Sequence, residues 1–131
     1  AEGLCKEMGL RGIVLPVAGA FHSPLMASAR EKLVDVLKDI AFSAPKMPVL
    51  SNVTGKLHSA DPEEIKQTML RQVTESVLWA GCITCAKAAG ATEFIEFGPG
   101  KVLSGLIKRI DKTLVTQNVS DVASLDAVVV Q

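Results

Sequence analysis

An α/β layer fold is predicted for this chain on three observations. Short apolar runs of strand length, Ile13 to Val17, Val49 to Val53, Thr92 to Phe97 and Thr113 to Val119, alternate with segments of helical period. Proline and glycine punctuate the junctions. Hydrophobic residues make up 48% of the 131, enough for one compact core.

The elements follow in order. Glu2 to Met8 is the tail of a helix closed by Gly9, so the chain is expected to begin inside an element. Ile13 to Val17 is expected to be a buried strand. Gly19 and Ala20 then allow close backbone approach, and Ser23-Pro24 supplies an N-cap with proline at the first helical position. The next helix should run from Pro24 to about Ile40, with Leu25, Ala29, Leu33, Val36 and Ile40 as its core stripe and Arg30, Glu31, Lys32, Asp35, Lys38 and Asp39 on the solvated face.

Pro45 and Pro48 bracket a loop before the strand Val49 to Val53, which Thr54-Gly55 turns. Asp61-Pro62-Glu63-Glu64 is a helix start in which the aspartate caps and Glu64 can reach back to the cap amide; the helix should end near Val73. Trp79 to Ala89 is a helix stopped by Gly90. The strand Thr92 to Phe97, the turn Gly98-Pro99-Gly100, the helix Lys101 to Ile110, the strand Thr113 to Val119 and a short helix Asp121 to Val129 complete the alternation.

Composition narrows the function classes. Fourteen basic and fourteen acidic residues cancel, which leaves no broad electrostatic footprint for nucleic acid or an anionic membrane. No apolar run is long enough to span a bilayer and no signal peptide is recognisable, so a cytoplasmic or plastid-stroma location is the expectation. Three cysteines cannot all pair within the chain.

Chemistry concentrates at His22. It falls at a strand-to-helix junction, where α/β folds project catalytic side chains beyond the strand ends. An imidazole there is either an idle loop histidine or a general base. Asn52 is a buried polar contact near a site or a turn residue. Gln72, near a helix end, is either an exposed residue or part of the site. His58 lies in a polar loop with no chemical role expected. Cys82-Ile83-Thr84-Cys85 is a CxxC inside a predicted helix, with only Cys5, His22 and His58 as further soft ligands, so buried cysteines are preferred to a metal or redox centre and no metal site is expected. Gly98-Pro99-Gly100-Lys101 is neither a Walker A loop nor a dinucleotide fingerprint. Its turn is expected to pack a helix whose Lys101, Lys108 and Arg109 form a solvated face or meet an acidic protein or a phosphate.

Four ordered motifs carry a resemblance: Gly19-Ala20-Phe21-His22-Ser23-Pro24-Leu25-Met26, Pro48 to Gly55, Gln72 seven residues before Trp79, and Glu96 to Leu103. From about Leu4 to Val115 the chain resembles the acyltransferase family, in its malonyl-CoA:acyl carrier protein transacylase branch of bacterial or plastid fatty acid synthesis.

The resemblance implies the C-terminal portion of a hydrolase-like acyltransferase domain. Residues 1–17 would close a small ferredoxin-like subdomain and residues 18–131 would belong to the large α/β domain. It implies His22 as the base of a ping-pong acyl transfer through a seryl acyl-enzyme, held by the main-chain carbonyl of Gln72. Phe21 is implied as a selector of malonyl over 2-methyl-branched acyl groups, with Asn52 as a further substrate-binding candidate.

Malonyl-CoA and the phosphopantetheinylated acyl carrier protein would be substrates, with no cofactor. The partners would be that carrier and a nucleophile-bearing N-terminal part of the enzyme. The family's Gly-His-Ser-x-Gly elbow, its Gly-Gln-Gly oxyanion segment and its malonate-binding arginine motif do not occur in the 131 residues. Ser104, in Val102-Leu103-Ser104-Gly105-Leu106, lacks the elbow's first glycine and is not taken as the nucleophile. Two other classes stand beside this one: a non-catalytic fragment that binds a carrier or another partner, and a small metal or redox protein.

Overall fold

The computed structural model describes residues 2–14 and 17–129. In chain order these form α1 (Glu2–Glu7), a 3₁₀ turn (Pro24–Met26) leading into α2 (Ala27–Leu37), β1 (Leu50–Ser51), β2 (Lys56–Leu57), α3 (Pro62–Gln72), α4 (Trp79–Ala88), β3 (Glu93–Phe97), α5 (Val102–Ile110), β4 (Val115–Val119) and α6 (Val122–Val129).

Two small sheets organise the chain. β3 and β4 are parallel, from Glu93 opposite Val115 to Phe97 opposite Val119, and α5 is the crossover that a parallel pair requires. Ile83 of α4, Ile107 of α5 and Leu114 are buried together, with Trp79 and Phe94 packed against them. β1 and β2 form an antiparallel hairpin, Leu50 opposite Leu57. Its turn ends at Gly55, which takes φ +65° and sits so close to α4 that a Cβ on either Gly55 or Gly81 would lie 3.2 Å from the other's Cα. The same hairpin accepts two hydrogen bonds from this helix region: Leu78 N–H to the Asn52 carbonyl (2.6 Å) and Cys82 Sγ to the Ser51 carbonyl (3.3 Å). α2 packs on α3, where Leu37, Ile65 and Leu70 are buried.

Element starts use the chemistry expected of their residues. Ser23 caps the 3₁₀ turn ahead of Pro24, and Asp61 Oδ1 caps α3 by accepting from Glu63 N–H at 2.8 Å. Gly9 and Gly90, at φ +68° and +95°, follow the ends of α1 and α4 in the left-handed conformation that glycine tolerates.

Four expectations are corrected. The Ile13 to Val17 strand is not formed at Ile13, Val14 or Val17, which are exposed; Leu15 and Pro16 lie outside the described residues. A strand exists only by pairing, and both described sheets are built from other segments. Of the expected stripe, Ala29 and Leu33 are half-buried, whereas Leu25 is 82% exposed and Val36 and Ile40 are also exposed; the buried position of α2, which packs on α3, is Leu37. The Val49 to Val53 strand shortens to two residues, since the chain already turns at Asn52. The Asp61 amide donates to Ser59 Oγ at 3.1 Å, and Glu63 pairs with Gln67, so the cap amide is satisfied without Glu64.

Candidate active site

His22 lies in a turn immediately before the 3₁₀ turn, with φ +57°, the one non-glycine residue of positive φ among those described. A side chain in that region costs roughly 1–2 kcal/mol, so neighbouring bonds must hold it there. Ser23 supplies them. Its hydroxyl donates to the Ala20 carbonyl at 2.7 Å and accepts from Leu25 N–H at 3.3 Å, while its own carbonyl accepts from Met26 N–H at 3.0 Å. Hydrogen bonds of this kind each contribute about 0.5–1.5 kcal/mol net, the same scale as the backbone cost.

The imidazole reaches across the chain. His22 Nδ1 lies 2.8 Å from the main-chain oxygen of Gln72, the last residue of α3. At a helix C-terminus the final carbonyls have no intrahelical donor, and this one is satisfied by the ring. A carbonyl only accepts, so the bond requires the proton on Nδ1; in the neutral ring Nε2 is then left as a free proton acceptor.

Two hollows flank the ring. One, of 350 Å³, is lined by Phe21, His22, Met26, Leu33, Met69, Gln72 and Val73 and is almost wholly apolar. The other, of 480 Å³, is lined by His22, Ser23, Pro24, Val53, Thr74, Glu75, Ser76 and Leu78. Phe21 is 63% exposed, and its ring lies over Gly19. Glu75 is engaged by Arg71, whose guanidinium pulls the carboxyl below the ordinary range.

The structure therefore brings Phe21, His22 and Gln72 to one hollow. Asn52 lines neither; it is half-buried in the hairpin turn and its carbonyl is spent on Leu78. Sequence reasoning overlooked the walls of the apolar hollow. Met69, Gln72 and Val73 recur at i, i+3 and i+4 on α3, and Met26 and Leu33 are seven apart, spacings that place each set on one helix face. The left-handed His22 has no sequence signal beyond histidine's modest tolerance of that region.

Other chemically suggestive groups are occupied structurally. Glu96 of β3 accepts from Leu103 N–H (3.0 Å), Ser104 N–H (2.8 Å) and the Ser104 hydroxyl (2.7 Å), filling the start of α5 where an anion would otherwise bind. The Ser104 hydroxyl, followed by those amides, holds the Glu96 carboxyl below its ordinary range. Lys108 donates its ammonium to the Leu114 carbonyl. Cys82 is buried, and burial pushes its thiol pKa up, which disfavours the thiolate that redox or metal chemistry needs. No group of three or more His, Cys, Asp or Glu side chains fit to hold a metal ion occurs among the described residues. No described helix is long and apolar enough to cross a membrane.

No protein-family model matches the chain. The malonyl CoA-acyl carrier protein transacylase of Bacillus subtilis is 41% identical over 127 residues, 96% of this chain and 40% of that protein. The enzyme of the same description from Salmonella typhimurium is 39% identical over 132 residues, 42% of its length. Among solved structures, an acyl-carrier-protein S-malonyltransferase from Burkholderia pseudomallei superposes with a TM-score of 0.88 at 41% identity, covering 98% of this chain and 42% of that one. A chain in the structure of a type II polyketide acyl-carrier protein in complex with its malonyl-transacylase matches with a TM-score of 0.87 at 37% identity, over 95% of this chain and 40% of that one. The chain spans about two fifths of the length of these relatives, and by sequence and by backbone it is a match to that portion of the malonyl CoA-acyl carrier protein transacylases.

Proposed function

We propose that this chain carries the general base of a malonyl-CoA:acyl carrier protein transacylase, with His22 as the base and the Gln72 carbonyl as the group that orients it. The observation that carries this reading is the 2.8 Å approach of His22 Nδ1 to that carbonyl in a chain matching malonyl transacylases over nearly its whole length. A base oriented by a third group is the general requirement for activating a hydroxyl nucleophile, and a fixed main-chain acceptor meets it in place of a carboxylate.

The nucleophile is a serine outside these 131 residues. His22 Nε2 takes the serine proton as its oxygen attacks the malonyl thioester carbon; the carbon–sulfur bond breaks and CoA leaves as the thiol, taking the proton back. The carrier's phosphopantetheine thiol then gives its proton to Nε2 and attacks the acyl-enzyme, and the serine oxygen recovers the proton on leaving. Phe21 lines the acyl side of the ring.

Residues 1–17 end a small subdomain and residues 18–131 belong to the large acyl-transfer domain in this reading. The acyl carrier protein is the partner, with a transacylase–carrier complex among the structural neighbours as support. The substrates bring all the chemistry needed, so no cofactor is assigned. A cytoplasmic or plastid-stroma location suits relatives that are bacterial malonyl transacylases.

The test is malonyl transfer by the full-length enzyme from malonyl-CoA to holo acyl carrier protein. His22→Ala should lower turnover by about 10²–10⁴-fold, the usual size of a general-base contribution. Near-wild-type turnover would remove His22 from the mechanism.

A further inference from the structure

The Ser23 hydroxyl is bonded on both sides of the residue proposed as the base. We infer that Ser23 is a positioning residue for His22: its hydroxyl fixes the left-handed backbone that lets Nδ1 reach the Gln72 carbonyl, and so fixes which ring nitrogen carries the proton.

Three observations carry this. His22 has φ +57°, a conformation that costs a residue with a Cβ roughly 1–2 kcal/mol. The Ser23 hydroxyl spans it, donating to Ala20 on one side at 2.7 Å and accepting from Leu25 on the other at 3.3 Å. The ring's partner lies fifty residues away at the end of α3, so a modest rotation about His22 would carry Nδ1 out of reach. The Ala20 bond has the optimal length for a hydroxyl donor, whereas the Leu25 bond is long for an amide. The donor half of the clamp is therefore the part that matters. Pro24 and the Ser23 carbonyl would keep the helix start without it.

The inference rests on the reading of His22 as the base only for its functional meaning; the structural claim is tested separately. This chain contributes two histidines, His22 and His58, and in imidazole ¹⁵N–¹H correlation spectra of the full-length enzyme each is assigned as the signal that disappears when it is substituted with glutamine. At a pH where the rings are neutral, wild type should show His22 with its proton on Nδ1. Ser23→Ala should convert His22 to the mixed tautomers of a free ring while His58 stays unchanged, and Ser23→Thr, which keeps the hydroxyl, should retain the wild-type signature. Where Ser23→Ala does not fold, Ser23→Asp decides, because it still caps Leu25 N–H but cannot donate to Ala20; it too should lose the Nδ1–H form.

In malonyl transfer, Ser23→Ala should lower kcat by about 10²-fold, the cost of a displacement on the 1 Å scale, with KM little changed and activity restored in Ser23→Thr. An Nδ1–H signal retained in folded Ser23→Ala or Ser23→Asp, or lost in Ser23→Thr, overturns the positioning role. His22→Ala with full activity would instead remove the proposed function and leave the tautomer result standing.

Discussion

His22 Nδ1 lies 2.8 Å from the main-chain oxygen of Gln72, so the group that orients the ring is backbone and not a side chain. A triad built on an aspartate can be dismantled by replacing the aspartate. Here the corresponding experiment has the opposite expectation. Gln72→Ala keeps the carbonyl and should leave kcat of the full-length enzyme within a few-fold of wild type, the scale of a small displacement. Val73→Pro should cost far more: proline drives the preceding residue out of the helical conformation and turns the Gln72 carbonyl away. Steady-state kinetics of the two variants check this, and a large loss in Gln72→Ala would show that the side chain takes part.

The hairpin and α4 meet through glycines, and the two are not equivalent. At Gly55 an added Cβ meets the Gly81 Cα at 3.2 Å in a backbone already at φ +65°, so strain and crowding add. Gly55→Ala should destabilise the fold by about 1–3 kcal/mol. At Gly81 the same crowding is opposed by alanine's helix advantage of about 1 kcal/mol. Gly81→Ala should therefore cost less than Gly55→Ala, and denaturant unfolding of both variants measures the order.

Glu96 makes the start of α5 sensitive to acid. Its carboxyl is held below the ordinary 4.5 by the Ser104 hydroxyl and the amides of Ser104 and Leu103, so the folded state binds its proton more weakly than the unfolded chain does. The stabilisation is complete above that ordinary value and is lost as the pH falls through the lower folded one. Glu96→Gln should reduce stability near neutral pH and flatten the acid limb of the stability profile. Asp111, lowered chiefly by Lys87 and then Thr113, and Asp121, lowered by Ser124, should preserve a residual acid sensitivity. Thermal unfolding across the acid range resolves the two slopes, and parallel slopes would show that Glu96 is not titrating against its cap.

Local signals in the sequence placed most elements correctly, because they act over a few residues. Asp61 before Pro62, Gly90 after the α4 helix and the strand-length run ending at Phe97 each carry their own chemistry. What could not be read was set by distant partners. The Ile13 to Val17 run has strand composition, but its described residues have no neighbour to pair with. Leu37 replaces Val36 as the buried position of α2 because of where α3 lies. At the site, His22 was legible from its motif and from the Ser23-Pro24 helix start, while the strand expected before it is not formed at its described residues. The Gln72 carbonyl entered only through family resemblance, since a main-chain acceptor leaves no mark in side-chain identity. Ser23 was legible as a cap, while its second bond to Ala20 depends on the turn geometry.

Phe21 yields the prediction with the clearest alternative. Its ring lines the apolar hollow with His22 and is 63% exposed, so it contributes little to the interior. If the acyl group lies against that ring, an extra 2-methyl must displace aromatic carbon, whereas malonate's methylene fits. A mismatch of one methyl is worth on the order of 1–3 kcal/mol in transition-state binding and appears in kcat/KM. Phe21→Ser should then narrow the preference for malonyl-CoA over methylmalonyl-CoA by about 10–200-fold at most, chiefly by admitting the branched substrate. A ring that only packs over Gly19 predicts a different outcome, in which stability falls and both substrates slow together. Competition between the two thioesters on the full-length variant separates the cases: a changed ratio with an unchanged melting temperature assigns Phe21 to selection, and an unchanged ratio assigns it to packing.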